Sequence, residues 1–105
     1  MTQKLFTKNE IVLCTYIARF GRDYFVERMV CRIENRSESS VKMKVQNIAA
    51  MLREENFPHS SEVAPLSGAP TGKEGRRTNW DIVKGLVNQE EPELRAMCKK
   101  VISMI

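Results

Sequence analysis

The chain has 105 residues, 42% of them hydrophobic and 29% charged, with a formal net charge of +4 and a pI near 9.2. This length predicts one small domain with a modest core, and the composition is that of an ordinary globular protein. Apolar runs are too short for a membrane-spanning helix and the N-terminal residues are polar, which excludes a signal peptide; we therefore expect a cytoplasmic protein without a membrane partner.

Positive charge is concentrated in the first part of the chain. Residues 1–60 contain 10 Lys and Arg against 7 Asp and Glu, whereas residues 61–105 contain 7 against 6. A basic balance favours polyanions such as nucleic acid or an anionic membrane. The cysteines are odd in number and lack metal-ligand spacing, so we expect small buried thiols in a reducing compartment at Cys14, Cys31 and Cys98.

The first helix is predicted over Lys8 to Phe20. Thr7 and Glu10 have the spacing of a capping box, and Gly21 is a typical stop. Between them, apolar residues recur at helical spacing, at Ile11, Cys14, Ile17 and Ala18.

A second helix is predicted after a cap at Asp23, and Asn35 marks the turn that ends it. Its apolar face is expected to contain Val26, Met29, Val30 and Ile33. The third helix, around Ser39 to Leu52, is expected to be capped by Ser37 or Ser39. Its narrow inward stripe consists of Val41, Val45, Ile48 and Leu52.

Pro, Gly and Ser then mark a loop over residues 57–78, whose apolar middle, residues 63–66, is expected to pack back on the helices. Lys73, Arg76 and Arg77 make this loop basic. They fit either a second phosphate contact, as in the basic arms of three-helix modules, or a plain solvated loop.

Two more helices are predicted, one capped by Asn79 and one over about Glu93 to Met104. The fold class is therefore all-α: a three-helix helix-turn-helix module over residues 1–56, the loop over 57–78, and a helical pair over 79–105. The last helix has a broad apolar face, so the pair either packs on the module or joins two copies in a homodimer.

The third helix carries chemistry suited to a DNA groove. Stepping 100° per residue places its outward arc opposite Val41, and this arc lacks acidic residues. Amides can bond adenine, hydroxyls can bond a phosphate or a base edge, a methionine can touch a thymine methyl, and cations can neutralise phosphates. The candidate contacts are Ser39, Ser40, Lys42, Met43, Lys44, Gln46, Asn47 and Arg53, with Ala50 as a small residue on the arc and Arg36 as an anchor in the preceding turn.

The segment from Arg36 to Ala50, preceded by the opening Phe6 to Glu10, resembles the Myb/SANT-like helix-turn-helix region found ahead of HNH nuclease domains in bacterial restriction-type proteins. The resemblance covers about residues 6–55. The residues that match its short run into the third helix are Arg36, Ser37, Ser40, Val41, Lys44 and Asn47. It implies a DNA-binding role in a bacterial or phage protein. This sequence departs from the family pattern at Phe6, where Trp is common, and in having no nuclease after the matching region.

The sequence offers no constellation for catalysis, a metal or a cofactor. The only histidine is His59, in the loop. The segment Gly68 to Glu74 approaches a phosphate-binding loop, but it is one residue short and Glu74 replaces the hydroxyl that would hold magnesium. We therefore expect no enzyme and no small-molecule substrate.

The function expected is binding of double-stranded DNA by a small non-enzymatic protein, regulatory or accessory to a nuclease or mobile-element system. The alternative is a protein-interaction adaptor or inhibitor that uses the same helical surface, since fold does not dictate function.

Overall fold

The computed structural model describes residues 5–65 and 79–104. Within these ranges the chain is all-α, as predicted, with five helices and no strand. None of these helices combines the length and the apolar character needed to cross a membrane. The helices are α1 Lys8–Phe20, α2 Glu27–Glu34, α3 Glu38–Glu54, α4 Trp80–Leu86 and α5 Glu91–Ser103.

Helix α1 is the centre of the fold, and its predicted bounds are confirmed. The capping box is present: the Thr7 backbone N–H donates to Glu10 Oε1 at 2.7 Å, and Glu10 N donates to Thr7 Oγ1 at 3.3 Å. Gly21 ends the helix with φ +93°, and its N–H donates to the Ile17 carbonyl at 2.9 Å. Every residue from Glu10 to Ala18 is buried, because α1 contacts each of the other four helices.

Helix α2 begins later than predicted. Asp23 is exposed in a bend, and the N-cap is Val26, which makes no side-chain capping bond. The first helical residue, Glu27, instead accepts hydrogen bonds from the Arg22 guanidinium, which orders the chain before the helix. Asn35 ends α2 in the left-handed region at φ +57°, as its turn-forming tendency predicts. On the predicted apolar face Val30 is buried and Val26 and Ile33 are half-buried, whereas Met29 is 37% exposed.

Helix α3 is capped by Ser37, one of the two predicted candidates, whose Oγ accepts from Ser40 N at 3.2 Å. The predicted inward stripe is confirmed, because Val41, Val45, Ile48 and Leu52 are all fully buried. Burial extends beyond that stripe in the second half of the helix, where Ala49, Ala50 and Met51 are also buried. Contacts with α1, α2 and α4 explain why more than one narrow face is covered.

The C-terminal helices pack onto α1. Asn79 is the N-cap of α4 as predicted, although its side chain makes no capping bond. Helix α5 begins two residues before its predicted start, at Glu91, after a capping box formed by Glu90 and Glu93. Its apolar face meets the core through Leu94, Cys98 and Val101.

Two polar contacts tie this pair to α1. Tyr16 donates from its hydroxyl to Glu91 Oε2 at 2.5 Å. Arg19 Nη1 donates to the carbonyls of Leu86 and Gln89 at 3.0 and 2.7 Å, which holds the turn between α4 and α5. Of the two roles expected for the C-terminal pair, packing on the module is therefore observed.

The chain after α3 returns to the end of α1. Ser60 N donates to the Ala18 carbonyl at 2.8 Å, and Val63 is buried, as expected for the apolar middle of the loop. Arg22 holds Glu62 through its own backbone N–H at 2.7 Å. Glycine is favoured at position 21 by its positive φ, which residues with a side chain rarely adopt; an added Cβ would meet the flexible end of the exposed Glu62 side chain at 2.7 Å.

A buried ion pair joins the start of α1 to the turn between α2 and α3. Arg36 Nε contacts Glu10 Oε2, and Arg36 Nη2 donates to Glu10 Oε1 at 3.1 Å. The Glu10 side chain is fully buried and that of Arg36 is 9% exposed. The guanidinium also lies 3.9 Å from the centre of the Phe6 ring and donates to the Leu5 carbonyl at 2.6 Å.

We expect Arg36→Ala to lower the free energy of unfolding by about 3–5 kcal/mol, because it leaves the Glu10 carboxylate buried without its partner. Urea denaturation of both proteins measures this difference. Arg32→Ala, which removes an exposed arginine of α2, is the control and should change stability by less than about 0.5 kcal/mol. Equal effects of the two substitutions would contradict a structural role for the pair.

Candidate nucleic-acid interface

Apart from Arg53 and Glu54 at its C-terminal end, α3 is exposed to solvent only along its first half. Ser39 and Ser40 are exposed, Lys42 is 57% exposed and Met43 is 61% exposed, while Gln46 is half-buried. From position 47 to position 52 every residue is buried. At 1.5 Å per residue, the accessible part from position 38 to position 46 is about 13 Å long.

Two residues predicted to face outward are buried, which corrects the predicted arc. Asn47 is 8% exposed and Ala50 is 1% exposed. Lys44, predicted to neutralise a phosphate, is only 7% exposed. Its Nζ donates to Asn47 Oδ1 at 3.3 Å and lies 5.6 Å from the centre of the Phe6 ring. Burial lowers the pKa of Lys44 below the ordinary lysine value.

Arg36, predicted to anchor the DNA backbone, also points inward, to Glu10 and Phe6. Arg36, Lys44 and Asn47 thus belong to one internal cluster, and the expectation that they form an exposed surface is wrong. The physical reason is the segment before α1, whose Phe6 covers this side of α3. A helical wheel drawn for α3 alone contains no information about that segment.

The remaining predicted cations lie elsewhere. Arg53 is exposed, but it is near the C-terminal end of α3, about 16 Å along the axis from Lys42 and next to the exposed Glu54 and Glu55. The basic loop residues Lys73, Arg76 and Arg77 lie outside the described residues. The structure therefore brings together Ser39, Ser40, Lys42, Met43 and Gln46 as a surface, and we call these five residues the α3 face.

A groove of about 590 Å³ runs between α2 and α3, next to the α3 face. It contains three cations and two carboxylates. Its lining residues are Arg22, Val26, Glu27, Arg28, Glu38, Lys42 and Gln46. Arg28 is not among the predicted contacts, because it lies off the predicted apolar face of α2. An arginine on the polar side of the helix that precedes a candidate recognition helix is the sequence signal that indicates it.

The two carboxylates of the groove are held differently. Glu27 is almost fully buried, and Arg22 Nη2 lies 2.7 Å from its Oε2. Burial by itself would raise the pKa of Glu27, but the hydrogen bonds from Arg22 outweigh this effect and the pKa is lowered. Glu38 is 48% exposed, and its Oε2 is 3.9 Å from Lys42 Nζ, one helical turn away. Such exposed pairs are weak.

Within residues 5–65 and 79–104, no group of three or more His, Cys, Asp or Glu side chains is arranged to hold a metal ion. His59 Nδ1 lies 2.9 Å from the Ser60 carbonyl oxygen, next to it in the chain.

We expect Asn47→Ala to destabilise the protein by about 1–3 kcal/mol, because it removes an acceptor from a buried lysine ammonium. Gln46→Ala removes a similar amide from the preceding position, where the side chain is half-buried, and should change stability by less than about 0.5 kcal/mol. Thermal or urea unfolding of both variants tests the assignment of Asn47 to the interior. A larger loss for Gln46→Ala would refute it.

The lowered pKa of Glu27 also predicts a pH dependence. The stabilisation is fully present above the ordinary glutamate value of 4.5 and is lost as the pH falls through the lower folded-state pKa. We therefore expect wild type to be more stable than Glu27→Gln at about pH 7, and this difference to shrink at about pH 3. A difference in unfolding free energy that stays constant with pH would exclude a charged Glu27 as its source.

The α3 face and its groove combine hydroxyl, amide and cationic groups on an open surface of the protein. Comparison with known protein families, curated proteins and solved structures finds no match to this chain. The chemistry of the α3 face and of the groove is therefore the basis on which a function can be inferred.

Proposed function

We propose that this chain is a small non-enzymatic DNA-binding protein that inserts the first half of α3 into the major groove. The observation that carries the proposal is the placement of the accessible residues of α3 at its N-terminal end. In helix-turn-helix proteins, the N-terminal residues of the recognition helix contact the base edges. Residues 47–52 of α3 are buried in the core, which fixes the position of the helix as such a contact requires.

The α3 face has suitable groups for this contact. The Gln46 amide can bond adenine bidentately, the hydroxyls of Ser39 and Ser40 can bond a phosphate or a base edge, and Met43 can contact a thymine methyl. Lys42 can neutralise a phosphate. The two serines also keep the start of the helix narrow enough to approach DNA closely.

The resemblance to the Myb/SANT-like region ahead of HNH nucleases supports the same proposal and an accessory or regulatory role in a nuclease or mobile-element system. The residues that match this region lie partly on the surface and partly in the interior of the protein. Ser40 is exposed and available for a ligand, whereas Arg36, Lys44 and Asn47 stabilise the interior. The resemblance therefore supports the shape of the module more directly than its individual DNA contacts.

A second candidate function is a protein-interaction module that uses the same surface. Met43 is 61% exposed on the α3 face, and Met29, in the neighbouring helix α2, is 37% exposed. Methionine is enriched at protein interfaces. The two functions differ in their response to salt, because DNA affinity falls steeply through counterion release whereas an apolar contact persists.

We expect Lys42→Ala and Gln46→Ala to weaken binding to duplex DNA while leaving the melting temperature nearly unchanged, because both side chains lie on the α3 face. Lys42→Ala should weaken binding to all sequences and reduce the slope of log K against log salt by about 1. Gln46→Ala should weaken it by about 1–3 kcal/mol on the preferred site only. Fluorescence anisotropy from about 50 to 200 mM salt measures both effects.

Lys99→Ala, which removes an exposed lysine of α5, is the matched control. It should change the affinity much less than Lys42→Ala. If the wild-type chain shows no salt-dependent binding to duplex DNA at the low-salt limit, DNA binding is excluded and the protein-interaction function takes its place.

A further inference from the structure

We propose that the groove between α2 and α3 is a seat for one phosphate of the DNA backbone, that Arg28 and Lys42 hold this phosphate, and that Glu38 competes with it for Lys42. This inference rests on the proposed DNA-binding function and adds a second helix to the contact. The groove contains both cations, and its volume of about 590 Å³ leaves room for a backbone segment to enter.

The charged side chains of the groove fall into two groups, an ion pair whose charges neutralise each other and side chains that remain accessible to a ligand. Arg22 donates to both Glu27 carboxylate oxygens, through Nε at 3.0 and 3.1 Å and through Nη2 at 2.7 Å. This bidentate pair neutralises itself and holds the start of α2. Arg28 and Lys42 are exposed and supply the positive charge that a ligand can reach.

Glu38, Lys42 and Gln46 follow one another at steps of four along α3, so they form a row on one side of the helix. All three line the groove, and Arg28 lines it from α2. A phosphate between the two helices would therefore meet Lys42 from one side and Arg28 from the other. Gln46, the next member of the row, is placed to reach a base while the phosphate is held.

Glu38 is the negative side chain that such a phosphate would have to displace. Its carboxylate lies 3.9 Å from Lys42 Nζ, and both side chains are about half exposed. A contact this long between solvated groups is weak and exchangeable. Glu38 therefore reduces the affinity for phosphate without closing the groove, and its removal should release Lys42 for the ligand.

Phosphate is favoured over a protein carboxylate because the groove continues into the α3 face. Its hydroxyls and amide bond phosphates and base edges, and a DNA strand presents a row of phosphates that a single groove and a helix can follow together. An acidic peptide would use the same two cations but would leave the serines of the α3 face without a defined role.

The test compares Arg28→Ala and Glu38→Gln with wild type in anisotropy titrations of a duplex of about 20 base pairs. We expect Arg28→Ala to weaken binding about tenfold at low salt and to reduce the salt slope by about 1, as for one lost phosphate contact. Glu38→Gln should strengthen binding about two- to fivefold. Circular dichroism melting curves verify that both variants are folded.

Two variants with the same change of charge elsewhere serve as controls. Lys99→Ala removes a cation from α5, and Glu55→Gln removes an anion at the other end of α3. The phosphate seat is overturned if the wild type binds DNA but Arg28→Ala binds it no more weakly than Lys99→Ala. It is also overturned if Glu38→Gln binds DNA no more tightly than Glu55→Gln. Either result leaves the proposed function intact. Competition by polyglutamate as effective as that by duplex DNA would also overturn the seat in favour of an acidic peptide.

A second measurement separates the seat from the proposed function. Inorganic phosphate is titrated into the ¹⁵N-labelled chain, and the arginine Nε–H signals are followed by NMR. If duplex DNA does not bind, but phosphate shifts the Arg28 signal and Glu38→Gln strengthens this shift, the seat stands as an anion site and the DNA function fails. If neither phosphate nor DNA affects Arg28, the seat is overturned as well.

Discussion

The ion pair between Glu10 and Arg36 is the interaction on which the arrangement of the first three helices depends. Glu10 serves two elements at once, because its carboxylate also accepts the Thr7 backbone N–H that caps α1. Arg36 lies in the short turn before α3, so the pair fixes the start of α3 against the start of α1. Two ions taken from water require good geometry and further contacts to be tolerated: the Leu5 carbonyl accepts a hydrogen bond from Arg36, and the Phe6 ring lies against the guanidinium. The direction in which α3 presents its first half to solvent follows from this junction.

Much of the fold could be predicted because its signals are local. The bounds of α1 follow from a cap and a stop within one segment, and the stripe of α3 follows from the spacing of four apolar residues. The burial of Lys44 and of its hydrogen-bond partner Asn47 could not be predicted in this way, because the Phe6 ring that lies against Lys44 is about forty residues earlier in the chain. The groove with Arg28 likewise depends on how two helices lie against each other, which periodicity within either helix does not contain.

The position of the matching residues changes what the resemblance to the Myb/SANT-like region means. The residue types of this region indicate a binding motif, because arginine, lysine and asparagine are common DNA contacts. The motif is Arg-Ser-x-x-Ser-Val-x-x-Lys-x-x-Asn. In this chain Arg36 contacts Glu10 and Phe6, and Lys44 contacts Phe6 and Asn47, so these members of the run face the interior. Buried polar groups that satisfy one another can specify a single packing arrangement of a small core. Three members of the run, Arg36, Lys44 and Asn47, therefore serve folding in this chain, and the contacts with a ligand would come from Ser40 and from the positions between the members.

Because some cations of the chain lie in internal pairs, its net charge does not give the positive charge that a ligand at the surface would meet. Of the basic residues in the first three helices and their connections, Lys44 is buried, the Arg36 side chain is 9% exposed and paired with Glu10, and the Arg22 guanidinium is paired with Glu27. These three contribute to the +4 of the chain but little to the field of the α3 face. A ligand at that face meets Lys42 and Arg28, with Glu38 opposing them. Since each neutralised phosphate contributes about one unit to the slope of log K against log salt, the two accessible cations would account for a slope of about 2 and for a modest affinity. Sequence discrimination would then depend on Gln46, Met43 and the two serines more than on charge.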